Sequence, residues 1–137
     1  MTSTVEYKGD LRTTCTHLKS GNYFETDAPV DNNGKGERFS PTDLMATSLA
    51  TCMLTVMGIK ARTMGFDLKG IKIEVEKIMK QEPRRIGGIN LFFHFPQDLK
   101  NIDSKSIQIL KHTAHTCPVQ HSLHPDILIK VDWQEWS

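Results

Sequence analysis

At 137 residues, the chain has the length of one domain with a real hydrophobic core, and no composition break separates a second domain from residues 1–137. Seventeen Lys plus Arg stand against sixteen Asp plus Glu, spread along the chain, so neither nucleic acid nor an anionic membrane is predicted as a partner. Cys15, Cys52 and Cys117 are odd in number and widely spaced, which is not the disulfide framework of a small secreted protein. The opening MTSTVEYKGD is polar and shows no signal-peptide core, so the expected location is the reducing cytoplasm.

Val5 and Tyr7, then Leu11, Thr13 and Cys15, alternate with polar residues on either side of Gly9-Asp10, which predicts a hairpin with Arg12 on the face opposite Cys15. A third strand is predicted over Tyr23 to Thr26, and the polar DNNGKGER stretch after Pro29 reads as a loop. Ser40 to about Gly65 is the organising stretch. Ser40 suits the N-cap, Pro41 the first helical position and Asp43 the capping-box position three residues on. From Leu44 to Ile59 no side chain is charged and apolar residues occupy every face, so a central helix surrounded by protein is predicted. The run is shorter than the roughly 20 residues of a bilayer span and is interrupted by Thr47, Ser48, Thr51 and Thr55.

Ile71, Ile73 and Val75 alternate with Lys72, Glu74 and Glu76 as a half-buried strand. Its partner carries Ile89, Leu91, Phe93 and Phe95 on one face, with Pro83 and Gly87-Gly88 allowing a turn and a bulge. Asp103 or Ser104 opens a second helix whose apolar stripe runs through Ile107, Leu110 and Ala114 to Cys117. Pro118 stops it and suits the first turn of a short helix, PVQHSLH, placing Cys117 at a helix N-terminus that favours a thiolate. Ile127, Ile129, Val131 and Trp133 form a closing strand. Segregated strands and helices in this order predict an α+β fold with mainly antiparallel sheets around a long central helix. So apolar a helix needs more cover than one small sheet supplies, which favours an intertwined dimer.

Two cysteines carry the candidate chemistry. An isolated helical cysteine is most often a small buried hydrophobe, and Cys52 lies too far along its helix for the N-terminal dipole to act on it. A thiol of ordinary pKa, about 8.5, is only a few per cent ionised at neutral pH, so reactivity calls for a neighbouring cation. Arg12 is the first choice, with Arg38 as the alternative and Arg62 behind both. Around Cys117 stand His112, His115, His121 and His124, but their spacing matches no common zinc site. A Cys-His hydrolase lacks a recognisable nucleophile elbow.

The uncharged helix ending on a cysteine, SPTDLMATSLATC, with the distant HTCPVQHSL, resembles the OsmC/Ohr family of thiol-dependent peroxidases across nearly the whole chain. The resemblance implies an OsmC-like fold, an interlocked homodimer with interface active sites, and no metal or organic cofactor. It implies Cys52 as the peroxidatic cysteine, oxidised by an organic hydroperoxide or hydrogen peroxide, and Cys117 as the resolving one. An external dithiol then reduces the disulfide. Better-characterised members carry Glu directly after the helix-opening Pro, paired with the Arg that contacts the sulfur. Here Thr42 holds that place, and Asp43, about 100° further round the helix, either takes that role or serves as the cap. Cys15 matches no family position and reads as a core-facing strand residue. The alternative function is a non-catalytic protein of the same fold that binds a hydrophobic ligand in the interface pocket.

Overall fold

The computed structural model describes residues 1–134 and Trp136. It forms two compact units, Met1–Met45 and Ala46–Ser137.

The first unit is an antiparallel sheet of β1 (Ser3–Gly9), β2 (Arg12–His17) and β3 (Tyr23–Asp27) in sequential order, followed by the first turn of α1 (Pro41–Met64). The register pairs Val5 with Cys15 and Cys15 with Phe24, and Tyr7 with Thr13 and Thr13 with Thr26, so these residues share one face. It is an apolar face, yet Val5 and Tyr7 are each 64% exposed and Cys15 is half-buried rather than enclosed as predicted. A three-stranded sheet by itself supplies no layer to cover it. Arg12, Thr14, Glu25 and Asp27 take the other face.

The helix begins as the sequence predicts, with a reciprocal capping box. Asp43 Oδ2 accepts the Ser40 N–H at 3.0 Å and Ser40 Oγ accepts the Asp43 N–H at 3.1 Å. It ends at Gly65, whose φ of +84° lets Phe66 N–H reach Ala61 O at 2.9 Å and close the last turn. At 24 residues α1 is long and apolar enough to cross a bilayer by length and composition, beyond what the uncharged run alone predicts. Its buried residues, however, form one stripe, Ala46, Leu49, Ala50, Met53, Met57 and Ala61, as in a core helix. The opposite flank, with Thr51, Thr55 and Ile59, is exposed, so the second unit by itself does not surround the helix.

In the second unit, β4 (Lys72–Lys80) pairs antiparallel with β5 (Arg85–His94), and β5 pairs with β6 (Leu128–Asp132) in the parallel sense. The parallel pairing follows from the crossover through α2 (Ser104–Ala114) and α3 (Pro118–Ser122), which returns the chain to the starting end of β5. The β4–β5 turn spans Pro83, and the ladder jumps from Ile78–Gly88 to Met79–Ile86, so Gly87 is the extra residue of a bulge. A side chain there would collide with Lys80, which fits glycine at this position. Ile89, Leu91 and Phe93 of β5 meet the α1 stripe and Ile107, Leu110 and Ala114 of α2 in one core, which also contains Cys117 and Trp136.

Helix α2 starts at its Asp103 cap, where Asp103 Oδ1 accepts the Ser106 N–H at 2.9 Å. It stops at Ala114, three residues before Cys117, so Cys117 is not on the α2 stripe as predicted. A residue preceding proline avoids the helical region, and Cys117 adopts φ −69°, ψ 139° before Pro118. It is the N-cap of α3 instead.

Candidate active site

Cys117 is fully enclosed, and its Sγ accepts the Gln120 N–H at 3.3 Å, the bond that fixes it as cap of α3. Gln120 is itself held through its side chain, whose Oε1 lies 3.2 Å from His115 Nδ1. The His115 ring stands edge-on to Trp133, and Lys111 Nζ lies 5.7 Å from the centre of that indole. Gln120, His115 and Trp133 thus link the segment carrying Cys117 to the chain after β6.

Cys52 projects from the middle of α1, half-buried, against the core that contains Cys117. The Cys52 thiol lies close enough to the Cys117 thiol to raise its proton affinity, and both are free. Two sulfurs remote along the chain thus share one place in the second unit. The Cys117 thiol is pushed up from the ordinary thiol range, first by burial and also by its Cys52 neighbour, while the Gln120 N–H opposes the rise. The sequence expectation of a thiolate at Cys117, favoured by the α3 terminus, is overturned: desolvation outweighs one N–H and a five-residue helix.

The Arg12 guanidinium is engaged within the first unit by a two-point pair with Asp27, Nε to Oδ1 at 2.7 Å and a terminal nitrogen to Oδ2 at 2.9 Å. Glu37 adds an oxygen at 3.6 Å, and the Glu37 N–H donates to Asp27 Oδ2 at 3.1 Å. Asp27, 1% exposed, is the residue that sequence reasoning missed. Its signal is its position as the antiparallel partner of Arg12, visible only once the register is known. Arg38 pairs with Glu25 at 3.4 Å on the surface. Asp43 serves as the helix cap. Among the described residues no group of three His, Cys, Asp or Glu could hold a metal ion.

The Arg12 bond holds the Asp27 carboxyl below the usual carboxylate range. A depressed folded-state pKa contributes stability above the unfolded value, about 3.9, and that contribution is lost as pH falls through the lower folded value. Asp27→Asn is expected to melt at lower temperature than the parent at pH 7, with the gap closing in strong acid. Thermal melts from pH 7 to pH 2 test this, and a gap constant with pH would refute it.

The family model for OsmC-like proteins matches residues 34–132. Among solved structures, a Psychrobacter arcticus 273-4 protein provisionally described as an osmotic stress induced and detoxification response protein is 55% identical. The match covers 96% of this chain and 94% of that one, at a TM-score of 0.91. The Legionella pneumophila organic hydroperoxide resistance protein OsmC is 17% identical over 96% of each chain, with a TM-score of 0.72. The organic hydroperoxide resistance protein OhrB of Bacillus subtilis is 19% identical over 98% of each, with a TM-score of 0.66. At those identities the last two are likenesses of fold alone. No curated protein matches the chain.

Proposed function

Since this chain belongs to the OsmC-like protein family, we propose that it is a thiol-dependent peroxidase working through Cys52 and Cys117. The observation that supports this reading is that the half-buried Cys52 packs against the core that encloses Cys117, both thiols being free. In the first step the Cys52 thiolate attacks the terminal oxygen of a hydroperoxide, the O–O bond breaks, and the leaving alkoxide takes a proton to become an alcohol. Cys52 becomes a sulfenic acid. Cys117 sulfur then displaces the sulfenic oxygen, releasing water and forming a disulfide, which an external dithiol reduces by exchange. The Gln120 N–H, already aimed at Cys117 Sγ, supports the developing thiolate when that buried proton leaves. The activating cation is assigned to Arg12 on the family resemblance, with Arg38 as the alternative.

We assign the active form to a homodimer in the cytoplasm. Support for the dimer comes from the exposed Val5, Tyr7 and Phe24 on one face of β1–β3 and the exposed Ile59 on the flank of α1. The odd cysteine count supports a reducing compartment. The second function, a binding protein for a hydrophobic ligand, draws on a cavity of about 700 Å³ along the same helix, walled by Leu54, Ile59, Phe66, Leu68 and Ile71.

Treating the reduced protein with one equivalent of cumene hydroperoxide separates the two. The peroxidase reading expects a Cys52–Cys117 disulfide by peptide mass spectrometry and one equivalent of cumyl alcohol per chain. Oxidant consumed without that bond, or not consumed at all, counts for the binding protein.

A further inference from the structure

Gln120 meets Cys117 and His115 at once. Its backbone N–H is the donor to Cys117 Sγ at 3.3 Å, and its side-chain Oε1 lies 3.2 Å from His115 Nδ1. An amide oxygen only accepts, so Nδ1 supplies the hydrogen. The sulfur is thus held by a residue that the imidazole holds in turn. Helix α3 needs such a tie, because the five residues Pro118–Ser122 are too few to keep a helix by their own hydrogen bonds. Beyond Cys117 itself, Val119 and Leu123 of this segment pack against the core.

His115 is built as the fixed end of the tie. It is the C-cap of α2, where its own N–H donates to His112 O at 3.1 Å, so its backbone belongs to a helix anchored in the core by Ile107, Leu110 and Ala114. Its ring centre lies 6.4 Å from that of Trp133, and Trp133 in turn rests on Phe93 of β5 with centres 4.3 Å apart. The exposed ring therefore has an acceptor on one side and an indole on another, which together select one rotamer. Other histidines bond elsewhere. His124 Nδ1 accepts the Asp126 N–H within its own turn, and His94 pairs with Glu74 across β4 and β5.

We propose that His115 is a positioning residue for the resolving step, fixing Cys117 through Gln120. The proposal rests on the peroxidase reading. In that step the Cys117 sulfur bonds to the Cys52 sulfenic sulfur as the S–O bond breaks, and the hydroxide released takes the Cys117 proton to become water. Bond formation and cleavage at one sulfur call for an aligned approach, which a wandering α3 offers less often. The bond of His115 goes to Gln120 and not to a sulfur, so its effect lies in where it holds α3.

The rate of disulfide closure in the full, reduced chain tests this. Closure is started with one equivalent of cumene hydroperoxide in one arm and of diamide, an oxidant of paired thiols, in the other, and is followed by peptide mass spectrometry after acid quench. His115→Ala should slow formation of the Cys52–Cys117 bond by about tenfold, with the release of cumyl alcohol unslowed. Gln120→Met keeps the backbone N–H and the side-chain reach but removes the amide acceptor, and it should slow closure equally. His115→Asn, whose amide nitrogen takes nearly the place of Nδ1, should restore closure to near the parent rate, a rescue that a role for the ring alone does not allow. His112→Ala, on the same helix and outside the tie, should close like the parent. Closure in His115→Ala as fast as in the parent, or in His115→Asn as slow as in His115→Ala, overturns the proposal. A parent that releases no alcohol sinks the peroxidase reading instead, and the diamide arm still decides: the same order of rates upholds His115 as the holder of Cys117, whereas equal rates or no Cys52–Cys117 bond overturn it.

Discussion

Cys52→Ser is expected to reduce hydroperoxide turnover by at least about 10³-fold, the scale on which removing a nucleophile acts. A serine hydroxyl is not ionised near neutral pH and cannot hold oxygen as a reversible sulfenic acid, so both the attack and the resolving step disappear. Cys117→Ser should differ in kind. It retains the first reaction, so one equivalent of alcohol appears in a burst and the sulfenic acid persists on Cys52, where dimedone traps it. Cys15→Ser should turn over like the parent, because Cys15 lies on the β1–β3 sheet with Thr13 as its polar neighbour. Stopped-flow consumption of cumene hydroperoxide measures all three, with dithiothreitol for turnover and without added thiol for the burst and the trapped sulfenic acid. Equal burst amplitudes in Cys52→Ser and the parent would remove Cys52 from the chemistry.

Phe93→Ala should cost about 3–5 kcal/mol, the range for deleting a buried aromatic ring. Total stabilities of domains run to only about 5–15 kcal/mol, so a large share of the margin goes with one side chain. Phe93 is completely enclosed on the central strand β5, with its ring centre 4.3 Å from that of Trp133 and 5.9 Å from that of Phe95. Those rings, with Trp136 stacked on Phe95 at 4.3 Å and bonded through its indole N–H to Leu99 O, cannot all collapse into the vacated space. Urea denaturation followed by tryptophan emission measures the loss as a lower midpoint at unchanged slope. A midpoint shift worth under about 1 kcal/mol would show that the aromatic cluster repacks freely.

Much of the architecture is legible in residue patterns because each pattern reports a local rule. The alternation of Ile71, Ile73 and Val75 and of Ile89, Leu91 and Phe93 marks strands with one covered face, and Ser40 with Asp43 marks the start of α1; all are found as predicted. What stayed hidden depends on partners. Alternation at Ile127, Ile129 and Val131 is the same for a parallel and an antiparallel neighbour, so the direction of β6 emerges only from the crossover. The Arg12–Asp27 pair needs the β2–β3 register, which no single strand contains. Helical spacing carried the expected α2 stripe to Cys117, but the restriction imposed by Pro118 on its predecessor ends the helix earlier. Apolar residues all round α1 predict cover on every side, and the second unit covers one stripe. For the site, the family resemblance nominates Cys52 and Cys117 as a pair, while the packing of Cys52 against the core around Cys117 and the raised Cys117 proton affinity are properties of the folded core.

The ladder of the second sheet has one further result. Strand β5 is bonded to β4 on one edge and β6 on the other, whereas each of those neighbours keeps a free edge. In deuterated water, amides along Arg85–His94 should be the last to lose their protons, exchanging only when the whole unit opens, while fraying lets label into β4 and β6 earlier. The slowest-exchanging backbone thus runs through the layer on which the cysteine-bearing helix rests.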